Sequence, residues 1–326
     1  MTYAFDPELA AIIPMLPAVD LSDLPGARAE TAAMLAAHPA PDASGVDVGE
    51  IRVPGPQGAP DVVLRTYRPQ GVAGPLPVIY DVHGGGFILG SVDVEHGANL
   101  TFCRELHAVV VSVEYRLAPE HPFPAGLEDC YAGLCWVAEN AAELDADPDR
   151  IIVHGASAGG GLAAALALLA RDRSGPAIGF QFLTIPELDD RLDTPSMRAF
   201  TDTPLWSRPQ AVVSWDCYLG AGVRGTDGVS AYAAPARATD LAGLPPTYIS
   251  VMEFDPLRDE GIDYARALMA AGVSTELHLF PGTFHASGMI PYAGISRREQ
   301  AEALAVLRRA LEVAAAVPGP EPANHQ

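Results

Sequence analysis

From Leu76 onward the chain alternates short apolar, β-branched runs with helical stretches. The runs Val78–Val82, Ala108–Tyr115, Ile151–His154, Phe180–Ile185, Thr247–Glu253 and Thr275–Phe280 read as strands. Helical patterns lie near 94–106, 126–140, 158–172, 258–272 and 295–315. Such alternation implies a mostly parallel sheet with helices on both faces, and places reactive groups at the carboxyl ends of the strands. Ahead of it, Val46–Val53 and Asp61–Tyr67 flank the turn sequence Pro54-Gly-Pro-Gln-Gly and predict a hairpin.

Two stretches depart from the alternation. Residues 1 to about 40 are apolar and interrupted by proline, with a helix expected from Pro25 to Ala37; they form either an arm over a cleft or a helix on the main core. Residues 187–226 mix Asp189, Asp190, Asp193 and Asp202 with Trp206, Trp215 and Tyr218, and read as two or more short helices inserted after a strand. Three large aromatics are costly to leave in water, so this insertion is expected to pack with the N-terminal part as a cap. The resulting division is 1–45 as the N-terminal part of the cap, 46–186 as the first part of the core and 187–226 as the cap insertion. The second part of the core follows over 227–318, and 319–326 is a flexible tail.

Chemistry enters at two turns. Gly155-Ala-Ser157-Ala-Gly159 lies between the strand Ile151–His154 and an alanine-rich helix, the strand–turn–helix setting that gives Gly-x-Ser-x-Gly its meaning. So sharp a reversal crowds the backbone, which accounts for Gly155 and Gly159, and it holds Ser157 out at the tip. The helix start behind it offers unpaired N–H groups. Upstream, His83-Gly84-Gly85-Gly86 follows another strand, and its glycines leave backbone N–H groups free to approach a reacting carbonyl.

A nucleophilic serine needs a base and an orienting carboxylate, expected in the order Ser, acid, His. Asp255, just past the strand Thr247–Glu253 and directly before Pro256, is the first choice of acid; Glu253 lies inside the strand and Asp259 fits the first turn of the next helix. His285 follows the last strand, which Pro281-Gly282 should end, and is the expected base. His38, His96, His107, His121, His278 and His325 lack that position, while His83 and His154 read as structural members of their turns.

Composition narrows the setting. The 326 residues are 49% hydrophobic and 19% charged, enough for a large core, and the net charge of -21 argues against nucleic acid or an anionic membrane as partner. Cys103, Cys130, Cys135 and Cys217 show no metal-ligand spacing and read as buried thiols in a reducing, cytoplasmic compartment. The longest aliphatic run, Leu162 to Ala170, is too short to span a bilayer. No metal and no cofactor is called for. The strand Thr275–Phe280 is a candidate sheet edge for a homodimer.

Taken together, the motifs resemble those of the hormone-sensitive-lipase-like α/β-hydrolase carboxylesterases. The resemblance rests on His83-Gly-Gly-Gly86, Tyr115-Arg-Leu-Ala-Pro-Glu-His-Pro-Phe-Pro-Ala125, Gly155-Ala-Ser-Ala-Gly-Gly160, Leu244-Pro-Pro246, Asp255-Pro-Leu-Arg-Asp-Glu-Gly261 and the Pro-Gly before His285. It implies an α/β-hydrolase fold, a helical cap, a Ser157–Asp255–His285 triad and an oxyanion hole from the N–H groups of Gly85, Gly86 and Ala158, with Gly84 shaping the loop. The Tyr115–Ala125 stretch would be a brace beside the site, with Arg116 and Glu120 ion-paired or hydrogen-bonded there. The expected reaction is hydrolysis of a small short- or medium-chain carboxylic ester through an acyl-enzyme. A ligand-binding protein on the same scaffold and an amidase or peptidase using the same triad are the alternatives. Three residues depart from the family pattern: Ala156 before the serine, Gly161 after the double glycine, and Ala286 after the histidine.

Overall fold

The computed structural model describes residues 3–17, 20–37 and 39–314. The tail expected over 319–326, and the two histidines His38 and His325, lie outside them. Among the described residues eight strands form one sheet, in chain order β1 (Val46–Val53), β2 (Val62–Pro69), β3 (Leu76–Val82), β4 (Val109–Glu114), β5 (Ala146–Ala156), β6 (Phe180–Thr184), β7 (Thr247–Phe254) and β8 (Thr275–Phe284). Their spatial order is β1-β2-β4-β3-β5-β6-β7-β8. The predicted hairpin supplies the antiparallel end, β1 on β2 and β2 on β4, and every pairing from β4 to β8 is parallel.

Alternation of side chains across the strands builds the two halves of the core. Val78, Tyr80 and Val82 of β3, with Ile151 and Val153 of β5, join one large apolar cluster, while Ile79 and Ile152 between them join another on the opposite face. The helices α4 (Ala125–Glu139), α5 (Ala158–Asp172) and α8 (Arg258–Ala270) cover the first face; α3 (His96–Leu106) and α9 (Gly294–Ala314) cover the second. In α5 every residue from Ala158 to Ala170 is buried. Its alanines and glycines explain how it sits so close to the sheet.

Two strands are longer than their apolar runs. β5 begins at Ala146, five residues ahead of Ile151, because Ala146 pairs with Leu76 before a register shift; the polar residues Asp147, Asp149 and Arg150 carry no strand signal. The expectation that Pro281-Gly282 ends β8 is corrected: the strand runs through both to Phe284, which pairs with Phe254 after a second register shift. β8 is the terminal strand, as the edge expectation required, and proline is tolerated on an edge because its missing donor can face away from the neighbour.

The segment after β6 holds α6 (Pro195–Ala199) and α7 (Arg208–Leu219), and it buries Trp206, Trp215 and Tyr218 as their cost in water demanded. Preceding β1 are the short α1 (Pro7–Ala10) and α2 (Leu24–Ala37). Tyr3 and Phe5 pack with Phe200, Phe254 and Phe284, at centroid distances of 5.2–5.8 Å, and Leu9 is fully buried beside Phe284 and Ile290. α2 buries no residue among those described and is held by Arg28, which donates to both Glu120 oxygens and to the carbonyls of Ile88 and Ala118.

The thiols of Cys103 and Cys130 are buried, but Cys135 and Cys217 are only partly covered, since they fall on the outer flanks of α4 and α7; all four are free. Among the described residues no helix is long and apolar enough to cross a membrane.

Candidate active site

Beneath the carboxyl ends of the central strands lies a buried polar floor. Asp81 on β3, fully buried, accepts hydrogen bonds of 2.7 Å from His154 Nδ1, Asn99 Nδ2 and Ser112 Oγ. Burial raises the cost of its charge, yet the three donors, His154 foremost, hold its carboxyl below the usual range. His83 stacks on Tyr115 at 4.2 Å, points Nδ1 at Gly84 O, and accepts the Tyr115 hydroxyl on its own carbonyl at 2.9 Å. Burial pushes its imidazole pKa down, so the ring is neutral and Nδ1 carries the donated proton. His83 and His154 are thus both held in this floor by hydrogen bonds of their own.

Above this floor the chain turns at Ser157, which ends the β5 reversal with φ 56° and ψ −122°. A side chain with positive φ is strained, and the turn holds it by over-determination: Ser157 N donates to Thr184 O, while Ser157 O accepts from Gly161 N and Glu187 N, all within 2.9–3.0 Å. An added Cβ on Gly159 would lie 2.0 Å from Val82 O, and one on Gly155 would lie 2.2 Å from Gly159 O. The reversal is therefore available only with glycine at both places.

The predicted partners converge on this tip. His285 Nε2 lies 2.9 Å from Ser157 Oγ, and His285 Nδ1 lies 2.7 Å from Asp255 Oδ2. Asp255 Oδ1 accepts Leu257 N at 2.9 Å, which orients the carboxylate. All three side chains are buried, Ser157 being the most accessible at 8%. The competing acids are occupied elsewhere: Glu253 accepts Gly282 N at 2.7 Å, and Asp259 accepts Ser196 N at 2.7 Å and pairs with Arg258. A hydroxyl, an imidazole and a carboxylate so linked can move the serine proton to Nε2 while the carboxylate stabilises the resulting imidazolium.

Facing the hydroxyl is the glycine loop. Gly84 packs so close that a Cβ would lie 2.9 Å from Ala156 O. Among the described residues, the N–H groups of Gly85 and Gly86 have no acceptor within the chain. Ala158 opens α5, where the first N–H groups have no helical partner. The loop is fixed from outside: Ile88 N and Leu89 N donate to Gly85 O, Ala118 N donates to Phe87 O, and Ser214 Oγ donates to Gly86 O at 2.9 Å. In the Tyr115–Ala125 stretch, Arg116 forms a bidentate pair with Asp129 at 2.7 and 2.8 Å, and Glu120 pairs with Arg28. Both charges are thus paired, as expected.

Sequence reasoning missed several members of this surround. Trp206 stands with its ring centroid 5.9 Å from that of His285, and its Cη2 occupies the space of a Gly86 Cβ. Phe87 stacks on Tyr218 at 4.0 Å. Glu187 and Ser214, fully buried, meet behind the glycine loop at 3.1 Å. The aromatic content of the insertion was the available signal for Trp206 and Tyr218; nothing in the local sequence marks Ser214. Among the described residues no group of three or more His, Cys, Asp or Glu side chains could hold a metal ion.

A sharply turned serine at the end of a parallel strand, with histidine and aspartate delivered by the last two strands, defines the class of α/β hydrolases. The family model described as the alpha/beta hydrolase fold matches residues 79–289, and the chain belongs to that family, in its hormone-sensitive-lipase-like branch. It is 43% identical over 268 residues to carboxylesterase NlhH of Mycobacterium tuberculosis, covering 80% of this chain and 82% of that protein. The solved structure of a bacterial heroin esterase is 53% identical and superposes with a TM-score of 0.91, covering 94% of this chain and 98% of its own. Esterase LipW from Mycobacterium marinum is 39% identical, with a TM-score of 0.81 and coverage of 94% and 96%. The chain is accordingly a carboxylic-ester hydrolase.

Proposed function

We propose that the enzyme hydrolyses short- to medium-chain carboxylic esters of small molecules through an acyl-enzyme. The linked contacts Ser157 Oγ–His285 Nε2–Asp255 Oδ2, at 2.9 Å and then 2.7 Å between His285 Nδ1 and the carboxylate, carry the reading. Ser157 Oγ attacks the ester carbonyl as His285 Nε2 takes its proton. The tetrahedral oxyanion is met by the N–H groups of Gly85, Gly86 and Ala158. His285 returns the proton to the departing alcohol, leaving the acyl group on Oγ. Water, deprotonated by the same imidazole, then attacks the acyl carbonyl; Ser157 recovers its proton and the acid is released. Each oxyanion donor contributes on the order of 3 kcal/mol in such a site.

Support for a short acyl group comes from Trp206, which stands against both Gly86 and His285 and restricts the space beside the reacting carbonyl. We assign residues 1–45 and 187–226 to a cap, a reading supported by the aromatic cluster that joins Tyr3 and Phe5 to Phe200 of the insertion. Four free cysteines support a reducing, cytoplasmic setting.

The test is hydrolysis of a chain-length series of activated acyl esters by the wild type and by Ser157→Ala. We expect turnover that peaks at short or medium acyl chains and falls by roughly 10⁴-fold in the variant. A variant as active as the wild type would remove Ser157 from the nucleophile role, and a profile rising toward long chains would overturn the substrate class.

A further inference from the structure

Behind the glycine loop lies a two-link chain that the triad mechanism does not use. Ser214 on α7 donates through Oγ to Gly86 O at 2.9 Å, and its Oγ lies 3.1 Å from Glu187 Oε1. Gly86 O has no other donor among the described residues. A hydroxyl has one proton, so with it committed to Gly86 O the contact to Glu187 must be supplied by a proton on the carboxyl group. We infer that Glu187 is a protonated positioning residue, which donates to Ser214 so that Ser214 donates to Gly86 and holds the loop carrying the Gly85 and Gly86 N–H groups.

Several features agree. Glu187 has no exposed surface, and its Oε2 has no partner among the described residues. A carboxylate with one oxygen so orphaned in the interior is far costlier than a neutral acid. Among the described residues no cation offsets it: the titratable groups around it are Asp255, Glu260 at the start of α8, Tyr218 on α7 and Tyr115 just past the end of β4, with Asp189 beyond on its own loop. Burial first, and Asp255 after it, raise the Glu187 pKa to about 8, against the opposing pull of Ser214. The close approach is made by Gly161, one of the three residues that depart from the family pattern, because a Cβ there would lie 2.1 Å from Glu187 O. Glu187 N also donates to Ser157 O at 3.0 Å, so one residue touches both the serine turn and, through Ser214, the oxyanion loop.

The consequence is an alkaline switch. Once ionised, Glu187 can only accept; it draws the Ser214 proton to itself, and Gly86 O loses its donor. A Ser–His–Asp mechanism alone gives activity that rises as the histidine loses its proton and then stays level. This chain adds a descending limb above the Glu187 pKa.

The inference rests on the proposed oxyanion role of Gly85 and Gly86, and two measurements separate its failure from that of the parent reading. The first is the pH profile of kcat/KM for the wild type, Glu187→Gln, Glu187→Leu and Ser214→Ala. Glutamine always donates, so it should restore most of the neutral activity lost in Glu187→Leu and abolish the descending limb. Ser214→Ala should lower kcat about tenfold with little change in KM, less than the roughly 10²–10³-fold of a fully lost donor, and also lack the limb. The second is infrared titration of the Ser157→Ala protein with and without Glu187→Gln, which reads the carboxylic-acid C=O band without catalysis. A band lost with Glu187 at pH 7 and bleached near pH 8 supports the inference. A descending limb that survives in Glu187→Gln, or no carboxylic-acid band assignable to Glu187 at pH 7, overturns it whatever becomes of Ser157.

Discussion

The ring of Phe5 meets that of Phe284 edge-on at a centroid distance of 5.5 Å, and Phe284 is the residue directly before His285. Phe5 also packs on Phe254, directly before Asp255, at 5.2 Å. One N-terminal side chain therefore braces the ends of both strands that deliver His285 and Asp255. Asp6 N reinforces it by donating to Gly282 O at 2.8 Å. Phe5→Ala removes three aromatic contacts, to Tyr3, Phe254 and Phe284, from a half-buried site and should cost about 1–3 kcal/mol of stability. If the arm positions the site, kcat falls as well at temperatures well below the melting point. Thermal melts and kcat measured side by side check this; an unchanged kcat would make the arm a stabilising cover only.

The three acids Glu253 in β7, Asp255 just past it and Asp259 in the first turn of α8 separate sharply by position. Asp255→Asn keeps the shape but presents the wrong partner to His285 Nδ1, and kcat should drop by about 10⁴-fold. Asp259→Asn weakens the contact to Ser196 N and the pair with Arg258, and Glu253→Gln weakens the contact to Gly282 N. These two should change activity by less than about tenfold, their effect falling on stability at the scale of a single charged hydrogen bond, about 1.5–3 kcal/mol. Steady-state kinetics on the three variants decides among the acids directly.

Much of this was legible because local and global signals agree. Strand and helix periodicities gave the alternation, and the Gly155–Gly159 pair gave the turn, since backbone crowding permits no other residue there. Ser157, Asp255 and His285 follow strand ends in the order serine, acid, histidine that such an arrangement requires. What stayed hidden depended on contacts between distant segments. Ser214 and Gly86 are 128 residues apart, and their bond is specified by how the insertion folds over the sheet. The Arg116 charge was seen, but its partner Asp129 lies on α4 and has no distinguishing local pattern. The extension of β8 through Pro281 was missed because proline ends strands in general, and only the position of β8 at the sheet edge relaxes that rule.

Ala286, where the family pattern has glycine, adopts φ 60° immediately after His285. A Cβ in the left-handed region costs about 1–2 kcal/mol, partly offset by the greater chain entropy that glycine would lose on folding. Ala286→Gly should therefore be neutral to about 1 kcal/mol stabilising, seen as an unchanged or raised melting temperature. A marked loss of stability would mean that the alanine methyl, which packs beside Ile185, Met252 and Phe280, contributes more than the strain removes.

Buried acids also set how stability responds to pH. Glu187 is raised to about 8, and Glu260, whose Oε1 accepts Leu188 N at 2.6 Å and whose Oε2 has no partner among the described residues, is raised well above the usual range, both chiefly by burial. In the unfolded chain these groups ionise above about pH 4.3. Between that value and the folded pKa the native state binds more protons than the unfolded state, so stability falls as pH rises. His83 works in the other direction: its lowered pKa means that stability is lost as pH falls below the unfolded value of about 6.5, so its contribution is complete above that point. Glu95 and Glu299, each raised to about 7 chiefly by burial, act in the same direction as the other two carboxyls up to that pH, and above it Glu187 and Glu260 each remove up to about 1.4 kcal/mol per pH unit until the folded pKa is passed. The melting temperature should therefore decline from pH 7 to 8.5. Glu260→Gln, which keeps the acceptor for Leu188 N and cannot ionise, should flatten the decline. A melting temperature that rises over the same interval in the wild type would mean that these carboxyls are not held protonated in the folded enzyme.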